Sequence, residues 1–262
     1  MSPEPDNDRI QSLVEESQKI LNDRELVYDL AGKRLALRAT ELKGHLSESA
    51  NTFHLAIIGN PNRSKTTYAY SCYSVLKTYD VPTKYHDLDL YTQSGMSISG
   101  TIGWNERVKR TLEEIPKEEI HESIQTFIDD VPGIVIGDFP GKIEDLYQAQ
   151  RLEKVDLAII LAKDPEEIEK WAKLCTSLGV GYRWLISETE PPLPYDILYP
   201  SFFNLTRKVR FSPMMLASAT SILEEIAAIR DLTLSNIENC FSRAELVVLQ
   251  EILDFHFSIR NV

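Results

Sequence analysis

Apolar positions along the chain fall into three regimes. Over residues 8 to 48 they recur in steps of three or four, with Leu26, Leu30 and Leu37 on one line and Val27, Ala31, Leu35, Leu42 and Leu46 on another. That spacing predicts helix, and Asn22-Asp23 offers a capping break between a first helix and a longer second one. From Asn51 the pattern changes to short continuous apolar runs: Phe53 to Ile58, Thr83 to Asp87, Gly133 to Gly137, Leu157 to Leu161 and Tyr182 to Ile186. Continuous rather than alternating runs suit strands covered on both faces, as in a parallel sheet. Helical stretches fit between them at Thr66 to Tyr79, Asn105 to Glu114, Lys117 to Asp129, Ile143 to Leu152 and Pro165 to Leu178. The alternation predicts a doubly wound, mainly parallel α/β sheet. After the rigid connector Glu190-Pro191-Pro192-Leu193-Pro194, helix is expected again from about Pro213. Ser221-Ile222-Leu223-Glu224 and Ser242-Arg243-Ala244-Glu245 both have the capping-box pattern. Three segments follow: an N-terminal helical extension over 1–50, an α/β domain over 51–212 and a C-terminal helical extension over 213–262.

Composition narrows the class of partner. The 262 residues are 43% hydrophobic and 26% charged, as in ordinary globular proteins. No apolar run approaches the roughly 20 residues of a membrane span, and the acidic start Met1-Ser2-Pro3-Glu4-Pro5-Asp6 lacks the features of a signal peptide. Three widely spaced cysteines (Cys72, Cys175, Cys240) suggest neither a disulfide framework nor a zinc site, so a reducing cytoplasm is expected. A formal net charge of −12 argues against broad nucleic-acid binding, which needs a basic surface. The basic clusters, Arg107-Val108-Lys109-Arg110 and Arg207-Lys208-Val209-Arg210, are short and read as solvated faces. The helical extensions offer surfaces to a protein partner.

The chemistry concentrates at Gly59-Asn60-Pro61-Asn62-Arg63-Ser64-Lys65-Thr66-Thr67, between a buried strand and a helix. Gly, four residues, then Gly-Lys-Ser/Thr is the Walker A spacing. Its physics is a turn whose N–H groups converge on phosphate oxygens at a helix N-terminus, where the dipole also favours anions. Lys65 would place a mobile positive charge on the outer phosphates, and the Thr66 hydroxyl is a hard ligand suited to Mg²⁺. Ser64 stands where glycine is usual; if that position needs positive φ, serine is strained there. A second signal is Gly133-Ile134-Val135-Ile136-Gly137-Asp138-Phe139-Pro140-Gly141. Asp138 closes a buried strand where a Walker B carboxylate would hold Mg²⁺, and Gly141 offers an unhindered N–H to a terminal phosphate. Third, Asp87 and Asp89 follow the second strand. Either is placed to orient a nucleophile or join the metal shell, because ligands of parallel sheets bind at the strands' C-terminal edge. The glycine- and serine-rich stretch from Ser94 to Arg107 reads as a loop that would bring Arg107, Lys109 and Arg110 toward an anionic substrate.

With its Lys65-Thr66-Thr67 loop ending, Asp87-Leu88-Asp89 with Gln93, and Asp138-Phe139-Pro140-Gly141, the sequence resembles the P-loop NTPase superfamily. Within it the nearest likeness is the branch of MinD/ParA-type ATPases and small-molecule kinases. The resemblance spans about residues 53 to 187 and implies Mg²⁺-dependent ATP hydrolysis or phosphoryl transfer. It implies catalytic roles for Lys65, Asp138 and one of Asp87 or Asp89, a phosphate cradle from Gly59 to Thr67 with Gly141, and a metal site at Thr66 and Asp138. The branch's extra lysine early in the loop is absent, since Asn60-Pro61-Asn62-Arg63 stands there. GTPases of the superfamily read guanine with Asn/Thr-Lys-x-Asp after a late strand. Here Ala162-Lys163-Asp164-Pro165 and Ser187-Glu188-Thr189-Glu190 do not match, so ATP is expected. A catalytically weak nucleotide-binding protein that recruits a partner is the competing reading.

Overall fold

The computed structural model describes residues 24–48, 51–98, 102, 106–144, 147–186, 222, 223 and 226. Five strands form one parallel sheet: β1 (Thr52–Gly59), β2 (Thr83–Asp87), β3 (Gly133–Asp138), β4 (Leu157–Ala162) and β5 (Gly181–Ile186), side by side in the order β2-β3-β1-β4-β5. The helices are α1 (Arg24–Leu46), α2 (Lys65–Thr78), α3 (Ser94–Ile98), α4 (Lys117–Asp129), α5 (Gln148–Leu152) and α6 (Pro165–Leu178), with a 3₁₀ turn at Leu112–Glu114. The expected α/β class therefore holds, and each expected strand falls within a residue or two of its observed span.

The continuous apolar runs are explained by cover on both faces. On one face Ala56 and Ile58 of β1 join Ala158 and Ile160 of β4, Phe127 of α4, Leu152 of α5 and Trp171 and Cys175 of α6. Strand alternation turns Phe53, Leu55 and Ile57 to the opposite face, where α2 lies along β1, β2 and β3 and buries Ala69, Cys72, Val75 and Leu76. The step from β1 to β2 runs one way along the sheet and uses α2. The three later steps run the other way and use α4, α5 and α6 on the opposite face. A single right-handed crossover sense requires that arrangement.

α1 leans on the end of α2. A Cβ at Gly32 would lie 3.1 Å from the Tyr79 hydroxyl, and Lys43 Nζ is 3.6 Å from Asp80. Leu35, Ala39, Leu42 and Leu46 are buried, which accounts for the later half of the N-terminal apolar stripe. The expected helix before Asn22, the proline connector and the caps at Ser221 and Ser242 lie outside the described residues; Ile222, Leu223 and Ile226 are helical and fully buried. Among the described residues, no helix is long and apolar enough to cross a membrane.

Two helix expectations need correction. Residues 107 to 111 are not helical, and Leu112–Glu114 forms a 3₁₀ turn. Their polar groups are drawn into tertiary bonds instead: Val108 N donates to Gln93 Oε1 at 3.1 Å and Arg110 N to Tyr91 O at 2.9 Å. In the stretch expected as helix from Ile143, the helix begins only at Gln148.

Candidate functional site

The parallel order places the C-terminal ends of β1 and β3 next to each other, with Ile57 opposite Asp138 and Asp138 opposite Asp87. The chain leaves β1 through Gly59 at φ 139°, where a Cβ would lie 2.1 Å from the Leu161 carbonyl oxygen. Only glycine fits there. Asn62 (φ 61°) and Ser64 (φ 57°) are both left-handed, so Ser64 does occupy the conformation in which glycine is unstrained. Its hydroxyl makes no capping bond. At the head of α2, the backbone N–H groups of residues 63 to 67 donate to no acceptor among the described residues. Such a row of donors carries the partial positive charge of a helix N-terminus.

Lys65 is buried within this turn, and its Nζ donates to the Asn60 carbonyl at 3.0 Å. Burial lowers its pKa, against the opposing influence of Asp138 and Asp89. Gly141 closes the other side. A Cβ on it would lie 2.6 Å from Pro61 N and 2.9 Å from Lys65 Nζ, so the loop after β3 rests on the β1–α2 loop at its lysine.

The three acids sit in different environments. Asp138 is fully buried, and its Oδ1 has no hydrogen-bond partner among the described residues. The Thr66 side chain opposes the upward shift of the same carboxyl, and the Tyr85 hydroxyl lies 3.4 Å from Oδ2. Burial first, then the charge of Asp87, lifts Asp138 well above the usual carboxylate range. Asp87 accepts from Gly95 N at 2.8 Å and Asp89 N at 3.1 Å. Burial, helped by Asp89, nonetheless pushes its carboxyl up to about 7. Asp89 accepts from Tyr91 N and Thr92 Oγ1, both at 3.2 Å. Burial raises it, and Lys65 is the leading influence the other way. The charge of Asp89 thus acts on Asp87, that of Asp87 on Asp138, and Lys65 draws down both Asp89 and Asp138.

Lys65, Thr66, Asp87, Asp89, Asp138 and Gly141 accordingly converge on one sheet edge. The other loop residues divide. Pro61, Asn62 and Ser64 are exposed, and Thr67 is the third residue of α2, half-buried. Arg63 turns away and forks onto Glu167 of α6, with Nε to Oε2 at 2.8 Å and Nη2 to Oε1 at 2.6 Å. The Asn60 side chain accepts from Trp171 Nε1 at 3.0 Å. Arg110 is likewise engaged, bidentate with Glu119 at 3.0 and 2.7 Å and bonded to Leu90 O. Arg107 Nη1 lies 3.4 Å from Ser94 Oγ, and Lys109 is exposed.

Sequence reasoning missed the residues that hold the two loops from behind. Gln148, 1% exposed, donates from Nε2 to Pro140 O at 3.0 Å and Lys142 O at 2.9 Å, fixing the loop that carries Gly141. Lys142 Nζ sits 4.5 Å over the Tyr91 ring and ties that loop to the one after β2. Glu167 and Trp171 hold the β1–α2 loop. The signal at Glu167 was local: Asp164-Pro165-Glu166-Glu167 reads as a helix start, and Asp164 does accept from Glu167 N at 3.0 Å. Its partner 104 residues earlier left no trace in the spacing.

Among the described residues, no group of three or more His, Cys, Asp or Glu side chains is arranged to hold a metal ion. No family model matches the chain, and a search of curated proteins found no match either.

Proposed function

We propose that this chain binds ATP as its Mg²⁺ complex at the β1–α2 loop and transfers the terminal phosphoryl group to water or a small acceptor. One observation carries the reading. A lysine, a hydroxyl and a buried carboxylate with an orphan oxygen meet at the head of a helix whose first N–H groups have no acceptor among the described residues. Those donors suit a polyphosphate anion. Mg²⁺ bound with nucleotide is held by phosphate oxygens, water and one or two protein groups, so Thr66 and Asp138 suffice as its protein side. The orphan Oδ1 of Asp138 fits that role. When bound, the metal would supply neutralisation of charge developing on the phosphate oxygens.

The chain's own residues supply the rest. Lys65, whose Nζ rests on Asn60 O, can exchange that neutral carbonyl for a phosphate oxygen, which would restore the charged state that burial disfavours. Gly141, against Lys65, brings an N–H without side-chain bulk to the same place. Of the second-strand acids, Asp89 is beside the lysine and is assigned the role of orienting the attacking water or acceptor; Asp87 anchors the turn that carries it. The neighbouring loops are tied down, which suits a reaction whose catalysis is mostly positioning and electrostatics.

A second reading keeps the nucleotide and drops the turnover. It is favoured by the strained Ser64 and by the internal pairing of Arg63 and Arg110, which leaves Lys65 as the cation within the loop itself. Titrating the purified chain with ATP and Mg²⁺, then measuring ADP release, decides between them. Binding with ADP release supports the enzyme, and binding without it supports the second reading. No binding at millimolar nucleotide sinks both.

A further inference from the structure

We propose that α6 is a brace for the phosphate loop, and that Glu167 and Trp171 are positioning residues that set the loop's affinity for a polyphosphate. The inference rests on the nucleotide reading above and adds what holds this loop in a binding shape. Arg63 stands between two left-handed residues, Asn62 and Ser64, neither of them glycine. Left to itself, a chain of L-residues avoids that sequence of conformations, so something outside the loop must over-determine it.

The outside restraint comes from one helix. Glu167, 6% exposed, takes the Arg63 fork on both oxygens, and its Oε2 also accepts from Lys163 N at 3.0 Å. Trp171, wholly buried in the core under β1 and β4, donates to Asn60 Oδ1 from a ring that cannot shift without disturbing that core. Asn60 and Arg63, the two loop positions flanking Pro61-Asn62, are thus both bolted to α6. Planar fork-to-fork geometry fixes direction as well as distance, which a lysine at 63 would not do.

A rival account of the same pair predicts the opposite. If Arg63 were a phosphate ligand held in reserve by Glu167, weakening the pair would free it and tighten nucleotide binding. The test uses the full chain, with Mg²⁺-ATP titrated by calorimetry into the parent, Glu167→Gln, Arg63→Gln and the double variant. Trp171→Phe keeps the packing but removes the indole donor, and it carries the same expectation if a Glu167 variant fails to fold. Thermal melts run alongside. The brace requires Glu167→Gln and Arg63→Gln each to weaken binding by roughly tenfold, with the double variant no worse than either. Where the parent turns over, KM should rise while kcat stays within about twofold, a split that general loss of fold would not produce. Tighter binding in Glu167→Gln, or unchanged binding in all variants of a binding parent, overturns the brace and leaves the nucleotide reading standing. A parent that does not bind at all overturns both.

Discussion

Asp87 makes the stability of this fold depend on pH in an unusual direction. Its carboxyl is held at about 7 against an ordinary value of 3.8, chiefly by burial and then by the charge of Asp89. The folded state therefore binds a proton that the unfolded state has released. The stabilisation is fully present below 3.8 and is lost as pH rises through about 7, the reverse of an acid held in a salt bridge. A shift of that size corresponds to about 4 kcal/mol over the whole range, of which roughly 2.5 kcal/mol falls between pH 5 and 8. Residual solvent exposure of the residue makes these upper values. Asp87→Asn removes the titration. The amide has one acceptor for the two N–H groups of Gly95 and Asp89, so the variant also carries a pH-independent loss of about 1 kcal/mol. The measurement is urea unfolding of both proteins at pH 5, 6, 7 and 8 without nucleotide or metal. The parent should lose stability across that range and the variant should be flatter; because the amide stands in for the neutral acid, the variant should gain on the parent steadily toward pH 8. Asp138 is itself raised in part by the charge of Asp87, so loss of that charge flattens the variant further. Parallel curves would refute the argument.

Other expectations follow from the same geometry. Glu167 is held at about 2, first by its bond to Arg63 and helped by Lys163 N. Its contribution is present above 4.5 and lost as pH falls toward 2, so Glu167→Gln should blunt acid unfolding in that window, measured by circular dichroism. Ser64→Gly relieves a left-handed serine whose hydroxyl makes no cap bond, and should raise the melting free energy by about 1 kcal/mol while binding nucleotide at least as well. Gly59→Ala forces a Cβ to 2.1 Å from the Leu161 carbonyl, and should cost roughly 3 kcal/mol or more in denaturant melts. Asp138→Asn should abolish the Mg²⁺ dependence of nucleotide affinity measured with and without EDTA; unchanged dependence would remove Asp138 from the metal site.

Strands β1, β3 and β4 were legible in the sequence because each is buried on both faces and bounded by a turn, which leaves a continuous apolar run. The edges of the site were legible for a related reason. In a parallel sheet every strand ends on the same side, so a residue just past a run, such as Asp138 or Asp89, must lie at one rim. Strand order was not legible, and it is what seats Asp138 between Asp87 and Ile57. Residues 107 to 111 misled because their charges are spaced as on a helix. Their backbone is instead claimed by Gln93 and Tyr91, contacts 15 and more residues away. Glu167 and Gln148 were invisible as site residues for the same cause. Each acts on a loop through a hydrogen bond whose two ends are separated in sequence, and no periodicity encodes such a pair.

The charge balance of the edge links these parts. Asp89 and Asp138 lie beside Lys65 and Asp87 beside Asp138, while Arg63 is neutralised by Glu167 and Arg110 by Glu119. With acids in excess, burial raises all three carboxyls and lowers the lysine, so the folded chain reduces its own charge by holding protons there. A bare polyphosphate would add negative charge to a place already short of positive charge. A polyphosphate that arrives with a divalent cation does not, because the cation takes the place of the protons on the acids while the anion restores a partner to Lys65. On the proposed reading, nucleotide and metal therefore bind as a unit, and the acids that hinder the first are the reason for the second.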